Sequence, residues 1–234
     1  MLRIVESEIL DNLAVSDPLA IGSRSDLRRL NWIMGHADIL SRAFRRHLDG
    51  ILEPSQPLQL VELGAGDGTL LLRLARRWSP LGMTARVTLV DRQNLVSAET
   101  RHAFTALGWS MESVNMDVFD WLETPSPGVD VMLANLFLHH FRNPQLAALL
   151  RLAAAKTRRF IVCEPRRSAF ALAATRFLGL LGCNRVTRHD AYVSVRAGFV
   201  PNELSALWPT DNNWRLIEHP VRLFSHCFVA KRYV

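Results

Sequence analysis

The segment Val61-Glu62-Leu63-Gly64-Ala65-Gly66-Asp67-Gly68-Thr69 constrains this chain more than any other. It follows an apolar run over residues 58–63 and opens a run of helical period over residues 69–78. Gly64, Gly66 and Gly68 let the backbone turn tightly and approach a ligand closely, while the N–H groups of the following helix face that ligand. A strand, a glycine loop and a helix in that order begin a strand–helix–strand unit. The rest of the chain must then supply parallel partners.

It does so. Residues 87–91, 111–115, 129–134 and 160–163 are short apolar runs rich in β-branched side chains, and most end in a Gly, Asp, Asn or Glu. Between them, residues 96–107 and 144–155 carry apolar positions at three- and four-residue spacing. The alternation predicts an α/β, Rossmann-like fold, a mainly parallel sheet with helices on both faces. At the end of the chain, residues 214–218 and 222–231 read as strands broken at His219-Pro220, and so short a turn makes them antiparallel. Two helical segments stand outside this plan. One covers residues 27–48, between Asp17-Pro18 and the pair Pro54 and Pro57; the other covers 168–182, followed by a helical stretch around 190–197. The expected organisation is an N-terminal helical cover over 1–54 and a larger unit over 55–234, with a helical insertion at about 166–200.

At 234 residues, 49% of them apolar and 21% charged, the chain can bury a sizeable core without disulfides. Cys163, Cys183 and Cys227 form no C-x-x-C pair, which fits a reducing compartment. The formal charge of +6 comes almost wholly from arginine, since Lys156 and Lys231 are the only lysines. Those arginines are dispersed, so the surplus is compatible with RNA without arguing for it. Arg3, Glu6, Glu8 and Asp11 interrupt the first residues, where a signal peptide needs an unbroken apolar run. The apolar stretch 168–182 contains Arg176 and is too short to span a bilayer. A cytoplasmic protein with no membrane span is expected.

A dinucleotide-binding loop, G-x-G-x-x-G, would place its third glycine at position 69, which is Thr69 here. The pattern E-x-G-x-G-x-G instead resembles the first motif of class I S-adenosylmethionine-dependent methyltransferases. Three further stations of that family arrive in order: Asp91, followed by Arg92, at the end of the second strand; Asp117, followed by Val118, after the third; and Asn135, followed by Leu136, after the fourth. The resemblance covers roughly residues 55–234 and implies a seven-stranded sheet whose last strand is antiparallel. It also implies S-adenosylmethionine as cofactor, held by Glu62, Gly64, Ala65, Gly66, Gly68, Asp91, Arg92, Asp117, Val118, Asn135 and Leu136. Asp91 would accept from both ribose hydroxyls and Asp117 from the adenine amino group, while Glu62 would attract the methionine ammonium. Arg29 could meet the methionine carboxylate, or lie on a solvated helix face. Asp91 and Asp117, taken singly, could equally be turn or cap residues.

The acceptor is approached by exclusion. The N/D-P-P-Y/F signature of amino-methylating enzymes is replaced here by Asn135-Leu136-Phe137-Leu138. The Lys-Asp-Lys-Glu set of ribose methyltransferases needs lysines this chain lacks, and Cys163 reads as a core residue of the fifth strand rather than a nucleophile. Leu138-His139-His140-Phe141 resembles the same stretch in ubiquinone/menaquinone-biosynthesis-type methyltransferases. His139 or His140 could act as a base or orient an acceptor oxygen, or merely pack the loop. Glu164 could orient substrate or pair with an arginine, and His189 could line the acceptor wall or lie on the surface, with Asp190 as a helix cap. No metal is expected, because Asn135 and Glu164 match paired metal ligands poorly. The apolar segments 27–48 and 168–182 suggest a small hydrophobic acceptor, phenolic, quinol or polyketide-like, methylated on oxygen before carbon. They equally suit core packing or a homodimer contact. The alternatives kept open are an RNA methyltransferase using the basic surface, and a non-catalytic cofactor-binding or partner protein of the same fold.

Overall fold

A computed structural model describes residues 1–48, 56–125, 128–211 and 213–233. The expected boundary at 54/55, with Pro54, lies outside these described residues. Seven strands form one sheet: β1 (Leu58–Leu63), β2 (Ala85–Asp91), β3 (Ser110–Asn115), β4 (Val129–Asn135), β5 (Thr157–Pro165), β6 (Trp214–Val221) and β7 (Ser225–Arg232). Their spatial order is β3-β2-β1-β4-β5-β7-β6, and β7 alone runs against its neighbours β5 and β6. The helices are α1 (Pro18–Met34), α2 (His36–Arg46), α3 (Thr69–Trp78), α4 (Ala98–Ala106), α5 (Val118–Glu123), α6 (Asn143–Lys156), α7 (Ala169–Thr175), α8 (Arg185–Ala197) and α9 (Glu203–Leu207).

Alternation along β1 shows why the sheet is covered on both faces. Leu58 and Leu60 point into one core and Val61 and Leu63 into the other. The first core joins α2, α3 and α4, with Phe44 stacked on Trp78 at 3.7 Å between ring centres. The Trp78 indole N–H donates to Ser41 and that of Trp109 to the Met83 carbonyl, so both large rings bury without an orphaned donor. The second core packs α5, α6 and α9 around Trp121, Phe160, Trp208 and Phe228. Because the strand order reverses between β1 and β4, the loops leaving their carboxyl ends diverge and open a crevice there.

Four local expectations change. The helical run 27–48 is two helices hinged at Gly35, whose φ of 70° ends α1 and starts α2; a Cβ there would sit 1.9 Å from an Arg222 nitrogen. The run 168–182 is helical only to Thr175 and continues as turns, leaving Phe177 and Leu180 exposed. His219-Pro220 does not break its strand. β6 is an edge strand, where a proline costs no ladder bond on its open side, so it runs on to Val221 and the turn falls at 222–224. Short helices α5 and α9 lie where the periodicity gave no signal. Among the described residues, no helix is long and apolar enough to cross a membrane.

Candidate functional site

The crevice is a cavity of about 1230 Å³, running from the glycine loop past the ends of β2 and β4 to α1, α7, α8 and the first twelve residues. Ligand pockets commonly measure about 300–1,000 Å³, so this cavity has room for a cofactor and a modest second molecule.

At the glycine-loop end the backbone sets the shape. Gly64, Gly66 and Gly68 hold φ values of 65°, 56° and 72°, a region open to glycine at little cost. A Cβ on Gly64 would lie 2.2 Å from the Phe137 ring, while Gly66 borders open space. The Asp91 carboxylate is fixed by two backbone donors at 2.8 Å, Gly66 N–H on one oxygen and Gln93 N–H on the other. Asp117 accepts the Phe119 N–H and so caps α5, yet it also lines the cavity; cap and ligand-facing roles coincide. Ala65, Arg92, Val118, Asn135 and Leu136 stand on the same wall. Leu136 takes the left-handed conformation at φ 51°, pinned by its N–H to the Cys163 carbonyl at 2.9 Å.

Glu62 Oε2, a buried acceptor on this wall, has no hydrogen-bond partner within the protein, and Asn135 Oδ1 has only the nearby His36 ring. Burial, reinforced by the carboxylates of Asp67 and Asp91, pushes the Glu62 carboxyl up to about 8. An unpaired acceptor in a buried wall calls for a donor, and an ammonium is the donor that also lets Glu62 ionise. With Asp91 placed for a diol and Asp117 beside an apolar floor, the residues present fit S-adenosylmethionine. Two expected contacts lie elsewhere. Gly68 packs against Leu89 behind the loop, and Arg29 turns to Asp26 and Cys183. Arg28, one position earlier, lines the cavity and pairs with Asp67 at 3.0 Å.

At the other end His139 and His140 occupy a short turn after β4, with their ring centres 4.3 Å apart. Both line the cavity. Glu164 is fully buried beneath them: one oxygen accepts the N–H groups of Phe137 and Leu138, and the other accepts His139 Nδ1–H at 2.8 Å. His139 Nε2 meets Glu8 at 3.2 Å, and His140 Nδ1 meets Asp11 at 3.3 Å. The Ser194 hydroxyl donates to the same Glu8 oxygen. Burial alone would strip the proton from His139, but its hydrogen bonds to Glu164 and Glu8 outweigh that and hold it to about 9. Burial likewise opposes the charge on Glu8, and its contacts with His139 carry it down to about 2 instead. His139 is therefore an imidazolium between two carboxylates near neutrality.

His189 is exposed on α8 beside Asp190 and does not line the cavity. Asp190 is not a helix cap. From within α8 it accepts the N–H groups of Ile9 and Leu10, while Arg3 donates to the carbonyls of Ala197 and Phe141. The first residues are thus strapped across the cavity. Sequence reading missed Glu8, Asp11, Ser194 and His36, all on the wall. His36 donates to or accepts from Ser225 through Nε2, and burial lowers it to about 4, so it is neutral. Cys163 is buried with its thiol pushed well up, which removes it as a nucleophile.

Comparison with known proteins agrees with this geometry. The methyltransferase-domain family matches residues 60–177. An uncharacterised methyltransferase of Mycobacterium tuberculosis is 34% identical over 106 residues, 43% of this chain and 48% of that protein, so the match spans about half the length of the curated relative. Among solved structures, a plantazolicin methyltransferase complexed with a substrate analogue and S-adenosylhomocysteine superposes with a TM-score of 0.62 at 15% identity, covering 93% of this chain and 92% of that one. A mitomycin 7-O-methyltransferase gives 0.61 at 20% identity, over 97% of this chain and 61% of that one. Magnesium protoporphyrin IX methyltransferase from Synechocystis with bound S-adenosylhomocysteine gives 0.53 at 16%, over 95% and 91%. At these identities the structures establish the fold, and the family match supplies the rest. A glycine loop with its acidic stations in register, on the fold those structures share, makes this chain a member of the class I S-adenosylmethionine-dependent methyltransferases.

Proposed function

We propose that the chain methylates an oxygen, in preference to a carbon, of a small hydrophobic acceptor of phenolic, quinol or polyketide-like type. The observation that carries this reading is a single cavity with a cofactor cradle at one end and, at the other, a histidine–carboxylate cluster beside apolar walls. Leu30, Ile33, Met34, Leu178 and Phe224 supply part of those walls, and they exclude water and hold a flat apolar body. The cofactor, when bound, supplies a methyl group on a sulfonium, which departs as a neutral thioether.

The protein's task is placement. Glu62 and Asn135 hold the ammonium, Arg28 meets the methionine carboxylate, and Asp91 and Asp117 fix the nucleoside. The acceptor oxygen would lie against Glu8, His139 and His140. Its proton would leave through the His140–Asp11 pair as the oxygen is methylated. His139, already protonated, orients the oxygen instead of deprotonating it. A hydroxyl acceptor explains a polar cluster at this position, which can hold its oxygen and take its proton. The mitomycin neighbour, an O-methyltransferase by name, supports the same class.

The test is turnover of a panel of phenols and quinols, with the methylated atom located by NMR and cofactor binding followed by calorimetry. Oxygen methylation of at least one panel member is expected, and Asp91→Ala should abolish both binding and turnover. Absence of cofactor binding at millimolar concentration, or methylation at nitrogen, would overturn the reading.

A further inference from the structure

We propose that Glu8, His139 and His140 form a binding site for a first-row divalent cation such as Zn²⁺, Co²⁺ or Mn²⁺, placed where the acceptor oxygen docks. This deepens the oxygen-methylation reading and rests on it for its purpose, although cation binding can be measured without it.

Among the described residues this is the one cluster of three ligating side chains, each offering a donor atom within 4.8 Å of the others. The separation of 3.2 Å between His139 Nε2 and Glu8 Oε1 is already what two adjacent donors show around one cation at about 2.0–2.2 Å from each. All three donor atoms lie within 4.8 Å of one another, and a turn of the partly exposed His140 would bring them toward the roughly 3.4 Å between neighbouring ligands of such a cation.

The surroundings are those of a ligand set. Glu164 accepts from His139 Nδ1 and is itself held by two backbone N–H groups, so only Nε2 remains for a cation, whose binding releases the proton that Nε2 carries in the cation-free protein. A carboxylate behind a coordinating imidazole fixes its tautomer and orientation in this way. Ser194 holds the Glu8 carboxylate, and Asp11 stands 3.3 Å from His140. Two imidazoles with one carboxylate suit a borderline transition cation better than Mg²⁺ or Ca²⁺, which prefer all-oxygen shells. Three protein donors leave positions open toward the cavity, where a hydroxyl oxygen can bind and become more acidic. Asn135 and Glu164 take no part in the proposed set.

The experiment uses the full chain, stripped with a chelator and titrated with Co²⁺ and Zn²⁺ by calorimetry, with visible ligand-field absorption as the second readout for Co²⁺. One cation per chain is expected, with affinity falling by roughly 10- to 100-fold or more in Glu8→Gln and in His140→Ala. His140→Ala alters a partly exposed side chain, so a folded variant is available even if Glu8→Gln unfolds, and circular dichroism checks each. No saturable uptake by the parent, or uptake unchanged in both variants, overturns the site. Titration of the same protein with S-adenosylmethionine separates the two readings: cofactor binding without cation uptake overturns the cation site alone, whereas cation uptake lost in both variants sustains it even if no cofactor binds.

Discussion

The glycine-loop wall is made from short stretches at the ends of β1, β2, β3 and β4, with the carboxylates of Asp91 and Asp117 held by backbone N–H groups. Gly66 and Gln93 fix Asp91, and Phe119 fixes Asp117. The histidine end is assembled from Glu8, His139, Glu164 and Ser194, four distant segments whose side chains hold one another. The first wall is a property of the backbone path and the second of tertiary docking. A change at the first should therefore alter ligand affinity while sparing the fold, and a change at the second should strike stability and geometry together.

Glu164→Ala tests that contrast most severely. It leaves His139 and two backbone donors without their buried partner, and removing one member of such a set costs about 3–5 kcal/mol. A fall of that size in unfolding free energy by denaturant titration is expected; a loss under 1 kcal/mol would show that the cluster is not built around Glu164.

Glu62→Gln should act at the other wall and with pH. A carboxyl raised to about 8 in the folded state binds a proton that the unfolded chain has released by then, so its contribution favours folding below about 4.5 and fades as pH rises toward 8. The substituted protein should match the parent in stability at acid pH and exceed it above 8. Cofactor binding, which needs Glu62 ionised, should release a proton in the parent and none in the variant, as read by calorimetry in buffers of different ionisation heat. Equal proton release by both proteins would remove Glu62 from the ammonium site.

The smallest effect separates neighbours. Arg28→Ala should weaken cofactor binding roughly fivefold, about 1 kcal/mol for a half-exposed ion contact. Arg29→Ala should leave binding unchanged, because its guanidinium faces Asp26. If the order reverses, the carboxylate contact lies where the sequence first suggested.

The same contrast explains what could be read from the chain. The glycine loop, Asp91, Asp117 and Asn135 were legible because strand ends fix their positions and each strand announces itself by its apolar run. Glu8, Asp11 and Ser194 carried no such signal: a glutamate in an irregular segment and a serine inside a helix become site residues only when α8 and the first twelve residues dock. Arg28 and Arg29 differ by one step of a helix, some 100° of rotation, and the facing residues that decide between them lie far away in sequence. Pro220 misled because edge position is a property of the assembled sheet.

Leu136 has a consequence for how this protein can change over generations. A branched side chain held at φ 51° carries a penalty of about 1–2 kcal/mol that glycine would relieve. Selection for thermal robustness alone would therefore drift toward glycine at 136, and in doing so loosen the turn that sets Asn135 and His139 on the cavity wall.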